Sequence, residues 1–199
     1  MIISYHGAEC FKISQGNLAL VFNPQSKLSA DITLFSTGKN PAYAEASAGK
    51  AGFIIDGPGE YEIKSVFIKG FLSTGPTPSN GPGKKINTIY LISFEGINLC
   101  FLDALKDSNL PTETLEAIED IDILFVPVGG GDTLDPVAAY KLAVSLEPSV
   151  IIPMHYTESS LKQFLKEGGE TKMESLDKFV VKKKDLEGKE GEIVVLREE

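Results

Sequence analysis

Three apolar runs in this chain end on residues able to do chemistry. "LCFLD" ends at Asp103, "LFVPVGGG" runs into Gly129, Gly130 and Gly131, and "VIIPMH" ends at His155. Such runs read as buried strands. In α/β sheets ligands bind at the carboxyl ends of strands, where a side chain is held rigidly yet stays accessible. A carboxylate and an imidazole there suit general-base chemistry or metal ligation, and glycine N–H groups suit stabilisation of an oxyanion. Each residue also has a plainer reading. His155 can be a half-buried histidine bonded to a turn, and the glycines can let the strand turn sharply before Asp135.

The rest of the sequence narrows that chemistry. Catalytic zinc needs at least three protein ligands, usually rich in histidine, and the chain has only His6 and His155. Cys100 does not join Asp103, because residues three apart on a strand face opposite ways. There is no GxSxG elbow for a serine nucleophile. "STGKN" (36–40) lacks the spaced first glycine and the trailing Ser or Thr of a phosphate-binding loop. Cys10 and Cys100 sit in apolar, strand-like contexts without a CxxC pattern, which predicts buried small hydrophobes rather than a disulfide.

The elements that must position these residues follow from periodicity. "CFKIS", "LALVFN", "ITLFS", "GFIID", "SVFIKGF" and "TIYLISF" are short apolar runs bounded by turn residues, so the first half is β-rich. "TIYLISFEGINLCFLD" predicts a hairpin turning at Glu95 and Gly96. The second half alternates strand and helix. "PTETLEAIEDI" predicts a short helix. "DPVAAYKLAVSLEP" predicts a longer one, with Asp135 as N-cap, Pro136 at the first position and Ala138, Ala139, Leu142, Ala143 and Leu146 on one face. A further helix carries Leu161, Phe164 and Leu165 and ends near Gly168. "KFVVKK" and "EIVVLRE" predict a closing strand pair, with Lys182 to Lys184 on a solvated strand edge or hairpin arm. Glu60 and Glu62 alternate along an exposed strand start, and residues 75–85, with three prolines and three glycines, predict a loop.

At 199 residues, one domain spanning 1–199 accommodates all of this. A net charge of -9 argues against broad contact with nucleic acid or anionic lipid. No run approaches the roughly 18 apolar residues of a membrane span. The opening "MIISYHGAECFKIS" lacks the pattern of a secretory signal, so a cytoplasmic location is expected.

In order and wording, the segments "ISYHGAECFKI", "LVFNP", "DGPGEYEI", "NTIYLI", "DIDILFVPVGGGDTLDP" and "EPSVIIPMHY" resemble the metallo-β-lactamase fold superfamily, in particular its small bacterial Zn-dependent hydrolase-like branch. The resemblance implies an α/β (α+β) fold, a four-layer αββα sandwich, and hydrolase-like function. It also exposes a departure. The family's HxHxDH ligand run falls on "ADITLFSTGKNPAY", which places Thr37, Lys39, Pro41 and Ala42 at the ligand positions, and the next family histidine falls on Thr74. Asp103 matches the bridging aspartate and His155 the last histidine, while Asn23 replaces the aspartate of the usual Asp-Pro turn and His6 lies two places before the family position at Ala8.

Two of seven ligand positions thus keep a ligand, so zinc is not expected as a cofactor, and His155 reads as a surviving corner of a dismantled site. Lys39, standing where a ligating histidine would be, either brings its ammonium to Asp103 or points to solvent. Two functional classes follow from the resemblance. One is a catalytically degenerate binding or assembly module whose partner is an unidentified small molecule or protein. The other is an active hydrolase with a remodelled site, either metal-free or holding a single metal through Asp103, His155 and a third group. In either case Asp103, His155 and Lys39 are the expected catalytic positions, and Thr37, Thr74 and Gly130 the expected substrate-contacting ones.

Overall fold

The computed structural model describes residues 1–37, 52–75, 86–170 and 174–199. Two sheets pack face to face. The first contains β1 (Ile2–Tyr5), β2 (Phe11–Gln15), β3 (Leu18–Phe22), β4 (Ile32–Leu34) and β5 (Phe53–Ile55), with β13 (Phe179–Val180) added beside β1. The second has seven strands. β6 (Gly59–Ile63), β7 (Val66–Thr74), β8 (Ile86–Phe94) and β9 (Ile97–Phe101) form an antiparallel meander, and β10 (Ile123–Pro127), β11 (Val150–Met154) and β14 (Glu192–Ile193) continue it in parallel. Helices α1 (Thr112–Ala117), α2 (Pro136–Ser145) and α3 (Glu158–Glu167) connect the later strands.

Alternation explains why the inner strands are apolar throughout. On β9 to β11, Leu99, Phe101, Ile123, Phe125, Val150, Ile152 and Met154 face the other sheet, whereas Cys100, Leu124, Val126 and Ile151 face the helices with Ala139, Leu142, Ala143 and Phe164. A parallel strand covered on both sides cannot afford a polar face. Four aromatic rings fill the middle of the sandwich, with Phe22 stacked on Phe101 at 4.2 Å and Phe11 edge-on to Phe125 at 5.0 Å. Helices, seven-stranded sheet and six-stranded sheet make three of the four expected layers among the described residues, an α/β sandwich.

Local signals behave as their chemistry requires. Glu95 and Gly96 both adopt positive φ (53° and 75°), the twist that a two-residue hairpin needs, and set Phe94 opposite Ile97. The Asp135 carboxylate accepts from the N–H groups of Val137 and Ala138, both at 3.0 Å. Replacing Asp135 by Ala removes that cap and is expected to cost about 1 kcal/mol in urea denaturation. Cys10 and Cys100 are free and buried.

The closing strand pair is not formed. Phe179–Val180 joins β1, Glu192–Ile193 joins β11, and β15 (Val195–Leu196) pairs in parallel with β12 (Ser175–Leu176). The C-terminal stretch therefore ties the two sheets to each other, and Val181, Leu186 and Val194 contribute to the core between them. The basic run is likewise no hairpin arm. Lys183–Asp185 is a 3-10 turn, and the Lys183 ammonium contacts both oxygens of Asp122 at 2.8 and 2.6 Å.

Candidate functional site

β9, β10 and β11 run side by side in the same direction, so their carboxyl ends reach one edge of the sandwich, as the sequence predicts. Asp103 lies two residues past β9, Gly129 two past β10, and His155 directly after β11. The facing sheet brings Asn23 from the end of β3 and Ser36 from just past β4 to the same edge, because β3 and β4 are also parallel neighbours.

The hydrogen bonds join the two sheets at this point. Asn23 Nδ2 donates to Asp103 Oδ1 at 2.7 Å, and Asn23 Oδ1 accepts from the Ser36 backbone N–H at 3.0 Å. Asn23, Ser36 and Asp103 are 7%, 2% and 1% exposed. Asp103 Oδ2 and Ser36 Oγ have no hydrogen-bond partner among the described residues, although Ser36 lies near enough to favour the charged carboxylate. Burial pushes the Asp103 carboxyl up to about 8, and the nearby Glu9 carboxylate adds to the rise. The Ala104 N–H, Ser36 and Asn23 pull in the opposite direction.

Glu9, in the turn between β1 and β2, completes the arrangement. Its Oε2 is 3.3 Å from His155 Nε2, without the alignment of a hydrogen bond. The turn is fixed from both sides, since the Ala8 carbonyl accepts from the His155 backbone N–H at 3.0 Å and from the Tyr5 hydroxyl at 3.2 Å. Burial lowers the His155 pKa from its ordinary value, with Glu9 opposing, so the imidazole is neutral near pH 7. Ala8, Asn23, Asp103 and His155 all hold positive φ, between 41° and 52°. Left-handed backbone at a residue with a Cβ costs of order 1 kcal/mol or more and gathers at functional sites.

The other expected positions divide. Thr37 is exposed. Thr74 reaches the same sheet edge but lines a separate cavity of about 420 Å³ with Leu105, Asp107, Asn109 and Leu110, away from the Asn23–Asp103–Ser36 cluster. The Gly130 N–H donates to the Leu134 carbonyl at 2.9 Å, which commits it to the turn. Gly130 and Gly131 have the positive φ that a turn demands, but Gly129 is required for a different reason: a Cβ there would lie 2.1 Å from the His155 carbonyl oxygen. Lys39 lies outside the described residues, with Pro41, Ala42 and most of the 75–85 loop. Sequence reasoning missed Glu9 and Ser36 as site residues. Glu9 adjoins Ala8, a family site position, and that adjacency was the signal available. Ser36 looked like the end of an apolar run.

Among the described residues, the donor set does not fit a resident zinc. Among the described residues, no three His, Cys, Asp or Glu side chains converge as metal ligands. The Asn23 amide N–H occupies one oxygen of Asp103. What remains is a buried carboxylate, a second carboxylate and a neutral imidazole, a set that accepts hydrogen bonds or protons.

Comparison with known proteins agrees with the architecture. A protein of Thermotoga maritima assigned to the Zn-dependent hydrolases of the metallo-β-lactamase superfamily superposes with a TM-score of 0.78 at 29% identity, over 98% of each chain. A protein of Parabacteroides distasonis assigned to the metal-dependent hydrolases gives a TM-score of 0.64 at 20% identity, covering 84% of this chain and 89% of that one. Igni18, a metallo hydrolase from Ignicoccus hospitalis, gives 0.61 at 17% identity, covering 91% and 99%. The latter two share the fold alone. Among curated proteins, the biosynthetic threonine dehydratase of Solanum tuberosum is 38% identical over 68 residues, or 34% of this chain and 19% of that protein. The threonine dehydratase of Nicotiana attenuata is 38% identical over 75 residues, covering 38% and 12%. The chain thus spans under a fifth of the length of these curated relatives. Residues 2–155 match the family model of the beta-lactamase superfamily domain, and the chain belongs to that family, with the metallo-β-lactamase fold.

Proposed function

We propose that this hydrolase-like protein has lost the family's complete metal site and works as a binding or assembly module in the cytoplasm. The observation that carries this reading is the Asn23–Asp103 hydrogen bond at 2.7 Å. At the position of the bridging aspartate, a lone pair that would face a metal is occupied by an amide N–H, and the neighbouring ligand positions are Thr37 and Thr74. Two remaining family ligands would leave a dication mostly hydrated and weakly held. The absence of a membrane-length apolar helix among the described residues is compatible with the location.

A second reading is a hydrolase with remodelled, metal-independent chemistry. The Glu9–His155 pair favours it, since a carboxylate 3.3 Å from an imidazole can orient the ring as a general base. One experiment separates the two. Protein purified without chelator is expected to carry well under one zinc per chain and to show no turnover in a phosphodiesterase and esterase screen. Stoichiometric zinc would overturn the proposal, and turnover abolished by His155→Ala would establish the hydrolase instead.

A further inference from the structure

The helical layer stops partway across the outer face of the seven-stranded sheet. Strand register sets the outward side chains of β6 to β9 in rows. One row runs Glu62, Phe67, Ser93, Asn98, and the next runs Glu60, Lys69, Leu91 before reaching Cys100. Cys100 is fully buried beneath the helices, Leu91 is half-buried, and Phe67 is 54% exposed. Over β7 and β8 the face lies open as a groove of about 550 Å³. Its far wall carries Ala117, Glu119 and Ile121, at and beyond the end of α1.

Width and charge select what the groove can hold. Strands lie about 4.8 Å apart, so the β6 and β9 ends of a row stand about 14 Å apart. That span admits the roughly 10 Å cylinder of one α-helix. Carboxylates stand on both walls, Glu60 and Glu62 on β6 and Glu119 opposite. Lys69 is the one cation among the described lining residues, and its ammonium is 3.1 Å from Glu60. Glu62 and Glu119 have no ion pair among the described residues. In a chain of net charge -9 the groove is therefore negative around an apolar floor. A second copy docked by the same face would bring carboxylates against carboxylates. A cationic partner meets no such opposition.

We propose that this groove docks a short amphipathic helix of a partner protein, apolar along one stripe and carrying Lys or Arg on both flanks. The stripe covers Phe67 and Leu91, and the flanking cations meet Glu62 and Glu119. Apolar anchors supply affinity in such helix-in-groove contacts, and charge on the walls supplies orientation. The docked helix continues the helical layer over strands that α1 to α3 leave open. This deepens the binding-module reading and rests on it. The groove lies toward the start of β9, whereas Asp103 lies past its end, so docking does not depend on the metal content of that edge.

The test is fluorescence anisotropy of the full chain with three labelled peptides: a helix of Leu and Ala with lysines flanking the leucine stripe, the same helix with glutamates in place of the lysines, and an extended peptide of alternating Lys and Val. Saturable one-to-one binding of the lysine helix is expected, with none of the glutamate helix. Binding is expected to weaken roughly tenfold or more in Phe67→Ser and in the double variant Glu62→Lys, Glu119→Lys. The double variant Glu167→Lys, Glu170→Lys makes the same charge change at the end of α3 and is expected to leave binding unchanged. All five side chains are exposed, so the variants keep the fold. No binding of the lysine helix, unchanged binding in Phe67→Ser, or an equal loss in the α3 variant overturns the inference. Tighter binding of the extended peptide overturns it in favour of strand addition at the edge of β6. A dimer of the chain alone that Phe67→Ser dissociates overturns it in favour of a second copy. Zinc content of the same preparations is a separate readout, since stoichiometric zinc in protein that docks the helix overturns the metal-free reading and leaves the docking surface standing.

Discussion

Replacing Asp103 by Asn is expected to stabilise the protein by roughly 2–4 kcal/mol at pH 8.5, and by less than about 0.5 kcal/mol at pH 4. The asparagine side chain has the shape of the protonated aspartic acid, and its oxygen can still accept from Asn23 Nδ2. What it removes is the penalty for ionising a buried carboxyl. In the unfolded chain an aspartate titrates near 3.9, whereas in the folded protein burial and Glu9 push this one up to about 8. Between those values the folded state holds a proton that the unfolded state has released. Stability therefore falls as pH rises from about 4, and the loss is complete above about 8. Each unit of that interval is worth about 1.4 kcal/mol, so even half of the shift would be a large part of a total stability of roughly 5–15 kcal/mol. Urea denaturation of both proteins at the two pH values measures the effect in buffer free of metal. A stability difference that does not change with pH would show that Asp103 is not the strained group described here.

Gly129→Ala is expected to destabilise by roughly 3 kcal/mol or more, placing it among the severe single substitutions. The new Cβ would sit 2.1 Å from the His155 carbonyl oxygen and 3.2 Å from its carbon. Both are backbone atoms, so no flexible side chain can move aside. His155 is itself in left-handed conformation and bonded through its N–H to Ala8, which leaves the carbonyl little freedom to retreat. Gly130→Ala provides the control. That position has φ of +74° and open space, so its cost is the backbone strain alone, about 1 kcal/mol. Thermal denaturation of the two variants checks the difference. If both lose the same amount, the glycines serve only the turn. If Gly129 alone is severe, the site depends on the close passage of β10's end beside His155.

The fate of particular residues shows how far one-dimensional reading reaches. The hairpin at Glu95–Gly96 and the helix behind Asp135 were legible because a turn with two positive φ values and a helix start are chemistry among adjacent residues. The common edge of Asp103, Gly129 and His155 was legible too, since three buried runs separated by helices imply parallel strands ending on one side. The partners of the last strands were not. An alternating apolar pattern says that a segment is half-buried but does not name its neighbour, and the choice fell to Val181, Leu186 and Val194, which close the core between the sheets.

For the site, sequence determined residue types: that a carboxylate and an imidazole stand at the strand ends. The tertiary structure decided what surrounds them. Asn23 and Asp103 are 80 residues apart and Glu9 and His155 are 146 apart, yet each pair meets because two sheets close on a shared aromatic core. Whether a carboxylate is solvated or buried, and whether an asparagine is a turn residue or a clasp, depends on long-range packing. Local spacing holds no information about it.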